Sequence, residues 1–296
     1  MPCIRNVRVL LNSLEASLMR VRWFAICALI LAITVCISCS SGPTGPEKGT
    51  PAFYWQAARE TFAAGDTTKT LEHLDKLLAD HNEYSDRALT WSLVLTSGLA
   101  AGYTELADTY EIGGRVNKSD PSAFRRPMMN YRSIAGRLSL QFGENFAKFA
   151  SVKGDTVPLA FGRPIGTAAT APGLTRIGKG MVMPAADLEN TETKTLERNI
   201  LLAACSAAGA PDDTAKLESL LKSPDATVPR PVFVMAMARA LYNASQLYNN
   251  RKLDDPSKLT IFAERAQEAM KSVPDSKEAK ELNVKIAETI KKNKRT

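Results

Sequence analysis

The chain has few of the side chains on which enzyme chemistry most often depends. Its 296 residues include two histidines, His73 and His81, and five cysteines, of which only Cys205 lies beyond residue 39. The body of the protein therefore holds no cysteine pair for a disulfide framework or a cysteine-based metal site. A Ser-His-Asp triad would need one of the two histidines, and neither lies beside a nucleophile-elbow motif.

Other catalytic and metal-binding patterns are equally sparse. The two histidines lie eight positions apart, whereas zinc sites favour a helical spacing of three or four residues. Cys205 lies in the apolar stretch NILLAACSAAGA, which is typical of a buried, inert thiol. We predict no catalytic residue, no metal and no cofactor. Carboxylate-pair hydrolysis stays open, because acidic pairs meet only in the fold.

Charge of one sign is not concentrated in the chain. Lysine and arginine number 38 against 31 acidic residues, a net charge of +7, and four of those arginines precede residue 39. The only dense basic run is the C-terminal KKNKRT, which predicts a solvated tail or a weak attraction to anionic lipid. Nucleic-acid binding needs a dense basic face, so we expect no nucleic-acid partner.

Long hydrophobic runs are limited to one uncharged segment of 15 residues, 23–37, which follows Arg20 and Arg22. Its length fits the core of a signal peptide better than a membrane span. The next two residues are Ser38 and Cys39. This ending resembles the lipobox of bacterial lipoproteins, in which a small residue precedes the cysteine that takes a diacylglyceryl group, although Cys36 stands where leucine is usual. The resemblance implies export and a membrane-lipid anchor on Cys39.

The lipobox resemblance also implies a location. The mature chain would begin at Cys39 on a bacterial membrane, and Ser40 in place of aspartate favours the outer membrane, facing the periplasm. An ordinary cleaved signal and an uncleaved N-terminal anchor are the alternatives, and Met19 would begin a compact signal by itself. Residues 40–50 are rich in Ser, Gly and Pro, which predicts a flexible tether.

Beyond the tether, apolar residues recur at helical spacing, and the pattern predicts an all-α fold of stacked antiparallel helical hairpins. Thr50-Pro51, Asp66 and Asp255-Pro256 are predicted helix starts, and Asp275 with Glu278 predicts a capping pair. We divide the chain into a signal segment 1–39, a tether 40–50, N-terminal hairpins 51–150, an irregular Gly/Pro-rich segment 151–190 and C-terminal hairpins 191–296.

Two hairpins resemble tetratricopeptide repeats. Ala58, Gly65-Asp66, Leu74 and Leu77 fall near the small, turn and apolar positions of that repeat, and Ala269 is followed five residues later by Pro274. The resemblance covers about 70 residues and implies an α-solenoid or a compact helical array, whose stacked hairpins leave a concave surface free.

Two further segments carry specific expectations. Residues 88–110 are rich in Ala, Gly and Ser, which lets neighbouring helices approach closely. After Pro127, which is expected outside a helix, apolar residues recur at Met128, Tyr131, Ala135, Leu138, Phe142, Phe146 and Phe149, a stripe that predicts core packing.

The string GLTRIGKG, residues 173–180, fits a phosphate-binding loop except at its last position. That position should be Ser or Thr to hold magnesium, and no buried strand precedes the string. We interpret residues 154–184 as an irregular excursion over the helical surface, or as a mobile lid on a binding cleft.

A binding site is expected in the N-terminal half, because aromatic residues concentrate there and helical-repeat proteins line grooves with them. The candidate ligand- or partner-binding residues are Trp55, Trp91, Tyr103, Tyr110 and Tyr131. Glu105, Asp108 and Glu111 are spaced at three residues, which is typical of a solvated acidic helix face.

Three functions follow from these patterns. The leading hypothesis is a non-enzymatic, lipid-anchored protein that binds proteins or peptides, or acts as a scaffold, in the cell envelope. The second rests on LAAGYTELADTY and NYRSIAGRLSLQFGENF, which are similar to helices of the T component of TRAP-type transporters. That similarity implies helical hairpins around a cavity, with a small ligand or a solute-binding protein as partner. An envelope hydrolase or lyase is the third.

Overall fold

The computed structural model describes residues 45–159, 161–164 and 166–293. The chain divides into two units, Met1–Glu47 and Lys48–Thr296, and the second contains every helix and strand named below. The predicted signal segment with Cys39, and residues 40–44 of the predicted tether, lie outside the described residues.

The described residues form ten helices and two three-residue strands, which confirms the all-α prediction. The elements in chain order are α1 Pro51–Ala63, α2 Thr67–Ala79, α3 Ser85–Val116, α4 Ser122–Ser151, β1 Thr156–Pro158, α5 Pro172–Gly178, α6 Ala185–Ala207, α7 Thr214–Leu220, β2 Thr227–Pro229, α8 Arg230–Gln246, α9 Pro256–Met270 and α10 Lys277–Asn293.

Local sequence signals fix several helix starts. The Thr50 hydroxyl accepts a hydrogen bond from the Phe53 N–H at the start of α1. The carboxylates of Asp66 and Asp255 cap α2 and α9 in the same way. Side-chain acceptors of this kind satisfy N–H groups that have no partner within the helix. The three predicted starts are confirmed.

The start of α10 differs from the prediction. The Ser276 hydroxyl accepts the hydrogen bond from the Ala279 N–H, at 3.1 Å, so the predicted capping pair is wrong by one residue. Asp275 instead places its carboxylate 3.5 Å from Lys280 Nζ. Serine and aspartate are both good caps, and the sequence offered the two side by side.

Helix α3, with 32 residues, is the centre of the array. Helix α4 packs antiparallel to it, with Asn145 Nδ2 donating to Ser92 Oγ at 2.9 Å near one end. Helix α6 also packs on α3, and a Cβ on Gly98 would lie only 2.7 Å from the Ile200 Cα. The small residues of this segment therefore allow the predicted close approach of neighbouring helices.

The remaining helices stack on this centre as antiparallel neighbours. Helices α1 and α2 form a hairpin whose second member packs on α3, while α8, α9 and α10 pack in succession at the other end of the chain. Helix α8 also contacts α3, α4 and α6. This arrangement confirms the predicted array of helical hairpins, and it places the sides of four helices around one space.

The apolar stripe of α4 packs in the core as predicted, with Ala135, Phe142 and Phe149 buried. The expectation for Pro127 is wrong, because α4 begins at Ser122 and Pro127 lies inside it. The first N–H groups of a helix have no intrahelical acceptor. A proline at the sixth position therefore removes a single hydrogen bond from a helix of 30 residues.

The segment predicted as irregular contains regular structure. Strand β1 pairs antiparallel with β2, with Val157 opposite Val228. Helix α5 buries Leu174 and Ile177, and α6 begins at Ala185, inside the predicted limits of 151–190. Residues 173–178 of the GLTRIGKG string are helical, and no strand lies in the described residues between Leu159 and Pro172. Neither feature matches a phosphate-binding loop.

Candidate functional site

The two tryptophans of the predicted site lie together near the start of α3. The rings of Trp55 and Trp91 make an edge-to-face contact at 5.5 Å, and Trp55 stacks on Tyr84 at 5.4 Å. Phe62 contacts Trp91 from another side. Only 1% of Trp91 is exposed, so Trp91 is part of the core, whereas Trp55 is half-buried at the edge of that core.

The three tyrosines of the predicted site form a second cluster. Tyr131 stacks on Tyr103 at 5.9 Å and packs against Tyr110 at 5.7 Å. The Tyr131 hydroxyl donates to Glu192 Oε2 at 3.0 Å. Burial, and then the Glu192 charge, raises the pKa of Tyr103 and of Tyr110 to about 12. The cluster therefore stays protonated at neutral pH.

The structure thus divides the five predicted residues between two places, and none of them lines the main cavity considered below. That cavity, of about 520 Å³, lies between α3, α4, α6 and α8. Its volume falls in the range of small-molecule sites. Its lining residues are Ser97, Ala100, Ala101, Thr104, Glu105, Asp108, Thr109, Ile112, Ser139, Phe142, Asn199, Leu202, Ala203, Ser206, Ala236, Met237, Arg239, Ala240, Asn243 and Ala244.

Small side chains keep this central cavity open. Ala236, Ala240 and Ala244 recur at every fourth residue of α8 and face Ala100, Ala101 and Ala203 across the space. Residues four apart lie on one helix face, so α8 presents a row of methyl groups. A second cavity, of about 370 Å³, shares Ser206, Ala236 and Arg239 with the first, so the two spaces meet.

The acidic row of α3 is not the solvated face that its spacing predicted. Glu105 is 2.9 Å from Arg198 of α6, and Asp108 is 2.6 Å from Lys252 in the loop after α8. Glu111 pairs with Arg132 of α4. Each carboxylate is half-buried and joins α3 to a different part of the fold, and the first two also line the central cavity.

Neither histidine lines the central cavity, and Cys205 does not line it either. His73 is half-buried with its ring 6.2 Å from Tyr54, and His81 is exposed. Burial raises the pKa of the Cys205 thiol, which fits the inert cysteine of the sequence prediction. No group of three metal-ligating side chains occurs in the part of the chain that the structure describes.

None of the helices in the described part of the chain is both long and apolar enough to cross a bilayer. This finding concerns residues 45–293 and not the hydrophobic run that precedes them.

Comparisons with known proteins do not add a relationship. No protein-family model, no curated protein and no solved structure matches the chain. The class of the protein therefore rests on its fold, an all-α array of helical hairpins, and on the open central cavity that four of its helices line.

Three of the cavity-lining residues, Glu105, Asp108 and Phe142, were predicted from the sequence to lie on a solvated face or in the core. Others, such as Asn199 and Ala240, carry no motif that would indicate a cavity. One signal was present in the sequence, since alanine recurs every four residues along α8 where larger apolar residues would fill a core.

Proposed function

We propose that the protein is an exported, lipid-anchored helical protein that binds a small ligand in its central cavity and does not catalyse a reaction. The observation that carries this proposal is the cavity of about 520 Å³ between α3, α4, α6 and α8, lined by alanines and a few polar groups. Sites of this size with few polar groups are typical of small-molecule binding. The anchor rests on the lipobox resemblance at Cys39.

The state of the two carboxylates in the cavity favours binding over hydrolysis. Glu105 accepts two hydrogen bonds from Arg198 and one from Asn199, and Asp108 pairs with Lys252. Carboxylate-pair hydrolysis needs one member that carries a proton and donates it. Here each carboxylate instead lies against a cation, Glu105 at 2.9 Å from Arg198 and Asp108 at 2.6 Å from Lys252.

A ligand-binding role agrees better with the T component of a TRAP-type transporter than with a pure scaffold. Residues 99–110 and 130–146 are similar to helices of that component, and members of that family are built around a cavity. On this proposal the protein hands a small solute to, or receives it from, a solute-binding protein in the periplasm.

The leading sequence hypothesis, a protein-binding scaffold, remains the second candidate because of one apolar patch. Val116 and Met181-Val182 are exposed, and Gly180, next to Met181, packs against Val116 at the end of α3. Lys118 and Lys179 are exposed close by. An envelope protein with an apolar surface and an acidic rim would complement this patch.

Binding of cyclohexanol separates the two candidates. The full chain in lipid nanodiscs is titrated and followed by saturation-transfer NMR, with protein-free discs as the blank. We expect a saturable signal that Ala101→Leu and Ala240→Leu each weaken at least about tenfold, because leucine fills the cavity. Ala287→Leu, an exposed alanine on α10, is the matched control.

Two results would count against the ligand proposal. Cyclohexanol that does not bind, or that binds equally well to both filled variants, would move the function to protein binding at the apolar patch. Urea unfolding of each variant distinguishes a filled cavity from a damaged fold.

A further inference from the structure

The α3 wall of the central cavity offers hydrogen-bond acceptors and no free side-chain donor. The hydroxyl groups of Ser97, Thr104 and Thr109 donate to carbonyl oxygens of their own helix, at 2.7–3.0 Å. A hydroxyl has one proton and two lone pairs. Once the proton is used within the helix, only the oxygen lone pairs remain for a ligand.

The other polar groups of this wall have the same character. When they are ionised, the carboxylates of Glu105 and Asp108 can accept hydrogen bonds but cannot donate them. The amide of Asn199 donates to Glu105 Oε2 at 2.7 Å and to the Thr195 carbonyl at 2.9 Å, which uses both of its protons. The α3 wall, together with Asn199 of the neighbouring helix α6, therefore presents oxygen acceptors to the cavity.

Two buried groups of the cavity-lining residues have unused hydrogen-bonding capacity. Ser139 is only 1% exposed, and its hydroxyl makes no hydrogen bond within the described part of the chain. Asp108 Oδ1 is buried without a hydrogen-bond partner in the same part of the chain. A buried acceptor without a partner costs free energy, and a donor on a ligand would recover it.

The cations that neutralise the carboxylates lie behind this wall. Arg198 and Lys252 do not belong to the lining of the cavity, although each pairs with one of its carboxylates. The lining contains one cationic residue, Arg239 of helix α8. Arg239 is exposed, and its guanidinium group lies 3.1 Å from the Glu278 carboxylate. The charged side chains that α3 itself contributes to the cavity lining are therefore both carboxylates.

We propose that the central cavity binds a small organic amine, with its ammonium group on the α3 wall and its aliphatic body against the alanines of α8. This inference rests on the proposed ligand-binding function. An ammonium group supplies three donors and no acceptor, which matches a wall of acceptors. A carboxylate at the same place would meet Glu105 and Asp108 with like charge.

The test compares three probes with the same ring: cyclohexylamine, cyclohexanol and cyclohexanecarboxylate. Each is titrated at pH 7 against the full chain in nanodiscs by saturation-transfer NMR. We expect the amine to bind about tenfold more tightly than the alcohol, since hydrogen bonds to charged groups are the stronger ones. The carboxylate is expected not to bind.

Two variants with opposite expected effects show whether Asp108 and Lys252 act on the bound amine or only stabilise the fold. Asp108→Asn removes the negative charge and is expected to weaken amine binding about tenfold while alcohol binding stays unchanged. Lys252→Gln removes the competing cation and is expected to tighten amine binding. A purely structural role would make both variants weaken all probes. Asp155→Asn, at an exposed position outside the cavity, is the matched control.

The outcomes distinguish this inference from the function on which it rests. If no probe gives a signal that Ala240→Leu reduces, the cavity is not a binding site and the proposed function fails. If the probes bind in the cavity but the carboxylate equals the amine, the amine inference alone is overturned. The same holds if Asp108→Asn leaves amine affinity unchanged.

Discussion

Single residues determine how closely the central helices approach. At Gly98 the backbone of α6 is so near that a Cβ would lie 2.7 Å from the Ile200 Cα and 3.0 Å from the Asn199 carbonyl oxygen. Both of these are backbone atoms, which move only with their helix. Glycine at this position is therefore a packing requirement and not a conformational one.

We predict that Gly98→Ala lowers the free energy of unfolding by about 1–3 kcal/mol, the usual cost of overpacking a core. Urea unfolding followed by circular dichroism measures the change. Gly178→Ala is the control, because its Cβ would meet nothing closer than 3.8 Å. Equal stability of the two variants would show that α6 can shift without cost.

The three tyrosines of the predicted site show how far the spacing of aromatic residues predicts a binding site. Tyr103, Tyr110 and Tyr131 do come together, as aromatic residues at helical spacing on neighbouring helices often do. Whether such a cluster faces a ligand or another helix depends on which residues pack over it. Here Tyr131 donates a hydrogen bond to Glu192 of α6. The spacing of the tyrosines in the sequence does not predict this contact.

At the scale of elements, helix starts were the most predictable feature. A capping side chain bonds an N–H group only three residues further along the chain, so both partners lie within a short stretch of sequence.

Asp255 illustrates the chemistry of such a cap. Hydrogen bonds from the Ser257 hydroxyl and then from the Lys258 N–H lower the pKa of its carboxyl to about 2. The ionised carboxylate thus contributes stability above pH 3.8 that is lost as the pH falls through about 2.

We predict that Asp255→Asn flattens the acid limb of the stability curve. Asparagine caps a helix but does not titrate, so between pH 4 and pH 2 the variant should lose less stability than the parent chain. The difference should stay below about 1 kcal/mol, because the group is close to solvent. Urea unfolding at several pH values measures it, and parallel curves for the two proteins would contradict the assignment.

Strands β1 and β2 could not have been predicted from the sequence in the same way. Each has three residues, and they pair across about 70 positions of the chain. Three residues carry too little alternation to indicate a strand. A pairing this distant depends on where the intervening helices have already placed the two segments.

At the scale of the whole molecule, the fold class was predictable and the cavity was not. Helical periodicity acts within one segment, so it indicates helices wherever they lie in the chain. The cavity requires four helices whose lining residues run from Ser97 to Ala244. The partners of the acidic row, such as Arg198 and Lys252, are likewise distant in sequence, which is why a solvated face was expected.

The proposed lipid anchor at Cys39 also acts at the scale of the whole molecule, since it would decide at which membrane the cavity lies. We predict that Cys39→Ala abolishes lipid attachment and releases the protein from the membrane fraction, whereas Cys36→Ala leaves both unchanged. Cell fractionation and intact-mass measurement test this. A Cys39→Ala chain that stays in the membrane with the mass of the parent chain would show that the anchor lies elsewhere.

The short ribbon of β1 and β2 has a further consequence for how the molecule is assembled. Neighbouring strands lie about 4.8 Å apart, and the Leu159 N–H donates to the Ala226 carbonyl just beyond the ribbon. Residues 159–226 therefore leave and rejoin the helical array at almost the same point, as an inserted module does. Helix α6 and its wall of the cavity belong to that module. Without it, α8 would follow α4 directly in an uninterrupted series of hairpins, and the central cavity would lose one of its four walls.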